Sequence, residues 1–437
     1  MSRESAARPY ATPHAPYAPH APYVVAVLYC AAGALAAVSL AGTLRSGITD
    51  PHVALAFGGL IAVGELARQG AGAHPGDREP APLAAAGALA YALLGETDRH
   101  PTSHGALQVL AVVLAATLAG AAPRLAAGRG PVLDHLVRRL LTVGFAATCF
   151  QPLYNTGALA RWPGHGPYYA LFLLLLLALT ALCDAVLRAA LARARTGWPY
   201  GPLLRDELRG LLGVGSAICA TGVVIALAVA VAGLWALPVF CVPLLLTQFS
   251  LRRHGAVRAT YAQTIASLAR CTEIAGYTPA GHARRVAALG RAVGRELGLS
   301  EPELTVLEYA ALMHDIGQLS LVDPVPAGAT EPLPPSEQRR IALLGGAVVR
   351  QTGVPEEVAA VVERQADPYR DQPLTARIVR TVNAYDDLVG RFAEDGAHGP
   401  YGPLRALERL RLATGRDYAP AVVEALARVL ARGGDVR

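Results

Sequence analysis

Lysine is absent from this 437-residue sequence, so all 39 basic side chains are arginine. Charge is scarce as a whole: 16% of the residues are charged, against about 25% in ordinary soluble chains. With 53% hydrophobic residues and a mean hydropathy of +0.34, that shortage excludes a wholly soluble enzyme. The same apolar mass excludes a disordered or fibrous chain. No basic run with interleaved aromatics occurs, so the net charge of +6 does not point to nucleic acid. Arginines that flank apolar segments mark membrane edges and touch anionic headgroups instead. The cysteines (Cys30, Cys149, Cys183, Cys219, Cys241 and Cys271) contain no pair with metal or redox spacing and read as small buried hydrophobes. No signal peptide with a cleavage site precedes the first apolar run.

What is present divides in two, because nearly all of the apolar excess lies before residue 251. Residues 1–23 repeat Pro, Ala, Tyr and His and are expected to form an extended, solvated tail, in which His14 and His20 are the conceivable metal ligands. Residues 24–250 read as a polytopic helix bundle, since a bilayer needs about 20 apolar residues per crossing. Clear candidates are 24–44, 53–69, 107–122, 168–187, 211–232 and 234–250; weaker ones are 82–94 and 140–160, the latter carrying Gln151 and Asn155. About eight spans result. Thirteen arginines, Arg68, Arg138 and Arg188 among them, then fall on one side of the membrane, and only Arg45, Arg99 and Arg161 on the other. The positive-inside bias predicts a multi-pass protein of the inner (cytoplasmic) membrane with both termini in the cytoplasm. Glu65 and Asp184 sit near the predicted cytoplasmic ends and are expected to pair with Arg68 and Arg188. Paired broken helices and a buried charge relay are both missing, which disfavours a transporter. The bundle reads as an anchor or sensor in the lipid bilayer.

From residue 252 the pattern changes to amphipathic helices and no strand-like alternation remains, so the second half is an all-α domain over 264–432. A connecting helix, 251–273, follows the last span, and its stretch 257–273 contains no Pro or Gly. It reads equally as a homodimer stalk and as the domain's first helix. Further helices are expected at 279–297, 301–314, 336–351, 355–365, 374–392, 403–413 and 420–431. Ser300 and Glu303 have capping-box spacing, and Gly298 and Gly353 suit helix ends.

The chemistry centres on Tyr309-Ala-Ala-Leu-Met-His-Asp-Ile-Gly317, an apolar helix ending in adjacent His314 and Asp315. Imidazole and carboxylate are both good ligands for Mn, Fe or Zn, and adjacency lets the two reach one ion. This context resembles the HD superfamily of metal-dependent phosphohydrolases, and within it the HD-GYP group that hydrolyses cyclic di-GMP. Upstream, Thr278-Pro-Ala-Gly-His-Ala-Arg-Arg-Val286 resembles the family's Thr-x-Gly-His-Ser-x-Arg-Val element, which implies His282 as a ligand. Glu273 matches an acidic ligand position, and Ala413-Thr-Gly-Arg-Asp-Tyr-Ala-Pro420 resembles the Ala-Gly-x-x-Phe-Asp-Pro segment.

The departures are specific. Gln318 stands where the family has a phosphate-contacting Lys, and Leu344 is placed by spacing where the next ligand His falls. Val361-Val-Glu-Arg-Gln365 replaces the His-His-Glu segment, and Asp367-Pro-Tyr-Arg370 replaces Gly-Tyr-Pro. In Val382-Asn-Ala-Tyr-Asp-Asp-Leu388 the ligand Asp becomes Asn383, with Asp386 or Asp387 as substitutes. The resemblance therefore implies one divalent ion at most, on His282, His314 and Asp315 with Glu273 and Asn383 as further candidates, and Arg285 (or Arg284) and Gln318 toward phosphate. Two readings follow. One is a single-metal phosphohydrolase acting on a nucleotide or cyclic dinucleotide; the other is an inactive module relaying signals beneath a membrane sensor.

Overall fold

The computed structural model of the protein describes residues 21–67, 81–126, 132–159, 166–323, 325, 328–394 and 401–434. His14, His20 and nearly all of the expected tail lie outside these residues, as do Arg68 and Arg161 of the topology count. The chain divides into two compact units, Met1–His254 and Gly255–Arg437.

The N-terminal unit is built from α1 (Pro22–Ser46), α2 (Pro51–Leu66), α3 (Pro82–Ala92), α4 (Ala106–Ala126), α5 (Val132–Asn155), α6 (Pro167–Thr196), α7 (Tyr200–Gly210), α8 (Ser216–Ala232) and the first part of α9 (Ala236–Ile274). Proline starts α1, α2, α3 and α6, where its missing N–H is no loss. A two-residue ladder, β1 (Glu96–Thr97) against β2 (His100–Pro101), is the one sheet among the described residues. Phe57, Ile61, Tyr91, Phe150 and Ile225 form the interior. Gly64 lets α2 touch α3, since a Cβ there would stand 2.4 Å from the Ala84 nitrogen.

Among the described residues, four helical stretches are long and apolar enough to cross a membrane: Pro22–Ser46, Ala106–Ala126, Tyr168–Thr196 and Ser216–Ile274. Pro51–Leu66 and Pro82–Ala92 are apolar but shorter. The largest departure from the sequence reading is α5, which begins at Val132 rather than near residue 140. Asp134, Arg138 and Arg139 are thereby helical, and each finds a partner on another helix. Arg139 donates to Glu65, Arg138 to Asp184, and Arg195 to Asp134. Glu65 is thus tied across to α5, whereas Asp184 also takes the expected Arg188 (2.9 Å). The cysteines differ too: Cys30 and Cys271 are exposed and the other four half-buried, all of them free.

The C-terminal unit holds the remainder of α9, then α10 (His282–Glu296), α11 (Glu301–Met313), a 3-10 turn over Ile316–Ser320, α12 (Pro335–Gln351), α13 (Glu356–Arg364), α14 (Leu374–Glu394), α15 (Tyr401–Leu412) and α16 (Pro420–Gly434). Its described residues outside loops are all helical. Stretch 251–273 lies within α9, which runs unbroken from Ala236. α10 shows why the helices assemble. Ala283, Val286, Ala287, Gly290, Val293 and Gly294 are buried at three- and four-residue spacing, one apolar stripe laid on α11 and α14. Leu304, Leu307, Met313, Val362, Ile378, Val382 and Leu426 complete the core. The capping box at Ser300 and Glu303 closes the start of α11, with Glu303 accepting from the Ser300 N–H at 2.8 Å.

Candidate metal centre

Three helices meet at one point. His282 is the first residue of α10, His314 follows the last residue of α11, and Asp315 opens the 3-10 turn. His282 Nε2 lies 3.3 Å from His314 Nε2 and 3.3 Å from Asp315 Oδ2, and His314 Nε2 lies 3.1 Å from Asp315 Oδ2. Exposures of 2%, 1% and 5% show that water does not solvate this triangle freely.

The far side of each imidazole fixes its tautomer. His314 Nδ1 donates to the Ala311 carbonyl at 2.8 Å, and His282 Nδ1 donates to Asp386 Oδ2 at 2.8 Å. Arg285 Nε and Nη2 hold Asp386 in turn, at 2.9 and 2.8 Å. Both Nε2 lone pairs therefore face inward, which is how metal-bound histidines are commonly supported. Asp315 Oδ2 is buried beside them with no hydrogen-bond geometry to either. Three lone pairs aimed at a shared point repel unless a cation sits there. The edges fit an ion: ligand atoms roughly 2.1 Å from a metal stand about 3.0 Å apart on an octahedral face and about 3.4 Å apart in a tetrahedron. The observed 3.1–3.3 Å falls between. These residues fit a divalent metal.

Without a metal, protons take that place. Burial alone would lower His282, but Asp315 and Asp386 outweigh it and push it up to about 10. Burial likewise raises Asp315, yet the two histidines hold it well below the usual carboxylate range. Asp387, one residue past Asp386, is driven up to about 7 by burial, opposed by His282 and reinforced by Asp315. A group whose pKa rises on folding adds stability that is complete below its unfolded pKa and disappears as pH climbs through the folded one. His282 and Asp387 act in the same direction, and the lowered Asp315 and Asp386 act only below about pH 4. In chelator, the protein should therefore melt at a clearly lower temperature at pH 9.5 than at pH 6.5. A higher melting temperature at pH 9.5 would contradict this protonation scheme.

The remaining expected residues scatter. Asn383, on α14, donates to Thr330 Oγ1 at 3.1 Å, and its Oδ1 is buried without a partner. It lines a cavity of about 220 Å³ together with His314 and Asp315. Glu273 stands outside the group of ligand atoms that lie within 4.8 Å of one another. Gln318 is fully buried and spends its amide N–H on the Gly328 carbonyl (3.2 Å). Arg285 is committed to Asp386 and the Ala280 carbonyl. Neither Gln318 nor Arg285 lines the cavity. Leu344 does not line it either; Ile341 and Ala342, a turn earlier on α12, do. Gln365, Arg380 and Tyr418 were not singled out from sequence but belong to the cavity wall. Gln365 also donates to the His314 carbonyl at 2.8 Å, fixing the turn that carries the ligands.

Gly317 closes that turn against α12. A Cβ on it would stand 2.1 Å from the Ile341 carbonyl oxygen and 2.7 Å from the Gly345 nitrogen. Both are backbone atoms that cannot swing aside. Gly317→Ala should destabilise the protein by more than about 2 kcal/mol, read as a loss of several degrees in melting temperature. An unchanged melt would mean that α12 yields freely.

A helical cradle thus presents a histidine and a His-Asp doublet around one buried point, as a site for a metal ion would. Residues 280–387 match the family model described as the HD domain. Among curated proteins, the chain is similar to a cyclic di-GMP phosphodiesterase of Thermotoga maritima, 25% identical over 159 residues, which is 33% of this chain and 42% of that protein. The match thus spans about two fifths of the relative's length. No solved structure matches the chain significantly.

Proposed function

We propose that the chain is a membrane-anchored phosphohydrolase of HD type that uses one divalent ion to cleave a phosphate ester of a nucleotide or cyclic dinucleotide. The observation that carries this reading is the inward triangle of His282 Nε2, His314 Nε2 and Asp315 Oδ2. When bound, the ion supplies Lewis acidity, neutralising phosphate charge and making a nearby water more acidic. The chain's own residues orient the ligands, and the cavity beside them offers Arg380 and Gln365 to the substrate. The similarity to a cyclic di-GMP phosphodiesterase supports an HD-GYP-like substrate class. The cavity is small: about 220 Å³, below the roughly 300–1,000 Å³ of most ligand pockets. It suits a phosphate with its adjoining sugar better than a whole cyclic dinucleotide.

The N-terminal unit would cross the inner membrane over 24–250, pass through the connecting helix 251–273, and hold the domain over 264–432 in the cytoplasm. Its outward apolar side chains support this: Leu44, Leu55, Leu171, Leu174, Val239 and Leu246 are all more than half exposed in the protein alone.

A second reading, an inactive relay module, is favoured by Asn383 on the cavity wall in place of the carboxylate that the resemblance would put there, with only apolar Ile341 and Ala342 offered by that part of α12. One experiment separates the two. Full-length protein, loaded in turn with Mn, Fe, Zn and Mg, is assayed on nucleoside monophosphates, linear dinucleotides and cyclic di-GMP. Metal-dependent release of phosphate or cleavage of the diester supports the hydrolase. Retained metal without turnover on any of them assigns the relay.

A further inference from the structure

A second constellation of ionisable side chains, half-buried apart from the buried Arg139, lies in the N-terminal unit. His135, Arg138 and Arg139 from α5, Asp184 and Arg188 from α6, and Glu207 from α7 surround a cavity of about 450 Å³. That volume lies within the range of about 300–1,000 Å³ typical of small-molecule sites.

The ion pairing is lopsided. Asp184 takes Arg138 Nη1 at 2.5 Å, Arg188 Nε at 2.9 Å and the Thr142 hydroxyl at 3.2 Å. Glu65 takes Arg139 Nη2 at 3.1 Å and His135 Nε2 at 3.0 Å. Glu207 stands 3.8 Å from Arg188 Nη1. Each of the two inner carboxylates thus serves two basic groups. Arg139, only 7% exposed, uses a single N–H on Glu65 although a guanidinium carries several donors in a planar fork. Buried arginines with spare donors are stabilised by an anion that takes them.

Much of the remaining wall is apolar, with Leu89, Val143 and Ile218 facing the same space beside Thr180 and Arg209. The backbone is irregular there as well. Leu211–Gly215, between α7 and α8, forms a π-helical turn, and Leu211 and Gly215 line the cavity. Such turns interrupt regular helices at functional sites more often than elsewhere.

We propose that this cavity binds an anionic amphiphile: a carboxylate or phosphate head on the guanidinium groups of Arg139 and Arg188, and a hydrocarbon tail along Leu89, Val143 and Ile218. A lysophospholipid from the bilayer and a free fatty acid both present this chemistry.

The test is thermal melting of the full-length protein in dodecyl maltoside with oleoyl lysophosphatidate, oleate, monooleoylglycerol or inorganic phosphate at equal concentration. Near saturation, at least one of the two anionic amphiphiles should raise the melting temperature by about 5 °C or more. Which of them does so assigns the head as phosphate or carboxylate. The neutral lipid and inorganic phosphate should shift it by less than about 1 °C. Arg139→Gln removes the anchor and should abolish the shift. Ile218→Trp fills the apolar part and leaves every ion pair in place, so it keeps the test decisive should Arg139→Gln fail to fold; it too should abolish the shift. An equal response to monooleoylglycerol would reduce the cavity to nonspecific filling, and a full response to phosphate alone would make it a soluble-anion site. A wild-type response in Ile218→Trp would place binding elsewhere. Each of these three results overturns the proposal, and none bears on the metal centre.

Discussion

Asp315→Asn and His314→Ala are each expected to strip the full-length protein of its divalent ion, weakening metal affinity by more than about a hundredfold, the upper range for loss of a supporting partner rather than a ligand. Asp315 is the only carboxylate in the triangle and supplies its only formal negative charge. Its replacement by an amide keeps the shape and removes that charge, leaving two neutral imidazoles to hold a dication. His314→Ala removes one corner outright and leaves the Ala311 carbonyl without its donor. Elemental analysis of purified protein checks both, with phosphoester turnover measured alongside. Glu273→Gln is the control, because Glu273 lies outside the triangle, and it should retain metal. Should Glu273→Gln lose as much metal as Asp315→Asn, the ion sits somewhere else.

The second large effect belongs to a residue that never touches the ion. Asp386→Asn should lower metal affinity by about ten- to a hundredfold. Asp386 accepts the His282 Nδ1 proton, and this leaves the Nε2 lone pair facing inward. An asparagine offers an N–H on the same arm, which favours the opposite tautomer and turns a proton toward the ion's position. Chelator competition reads the affinity, and circular dichroism checks that the helices persist. A positioning role makes a further demand: Arg285→Ala, which removes the clamp on Asp386 along with the donor to the Ala280 carbonyl, should weaken binding in the same direction but less. If Asp386→Asn binds metal as tightly as wild type, the tautomer is fixed by other means.

Local signals carried the C-terminal helices. Ser300 with Glu303, Gly298 and Gly353 mark ends through interactions a few residues long, and the structure has helix boundaries within a few residues of them. The start of α5 was not legible, because Asp134, Arg138 and Arg139 look like loop charges until their partners are known. Glu65 and Asp184 lie 74 and 46 residues away along the chain. The site divides in the same manner. His282, His314 and Asp315 stand out through their short motifs, and the fold brings their atoms together. The task of Asp386 depends on how α14 packs on α10, a contact across 104 residues, so sequence alone offered it only as a spare ligand. Leu344 was placed by counting, and the rotation of α12 turns Ile341 and Ala342 to the cavity instead.

The close approach at Gly317 has a mechanical meaning. Where side chains separate two elements, rotamer changes absorb small displacements; where backbone rests on backbone, nothing does. The turn bearing His314 and Asp315 presses on α12 at Gly345 without such a cushion. A shift of a few tenths of an ångström in α12 must therefore appear at the ligand corners nearly undiminished. α12 backs the turn as a stiff pushrod, so a displacement of that helix is transmitted to the His314 and Asp315 side chains from outside the site.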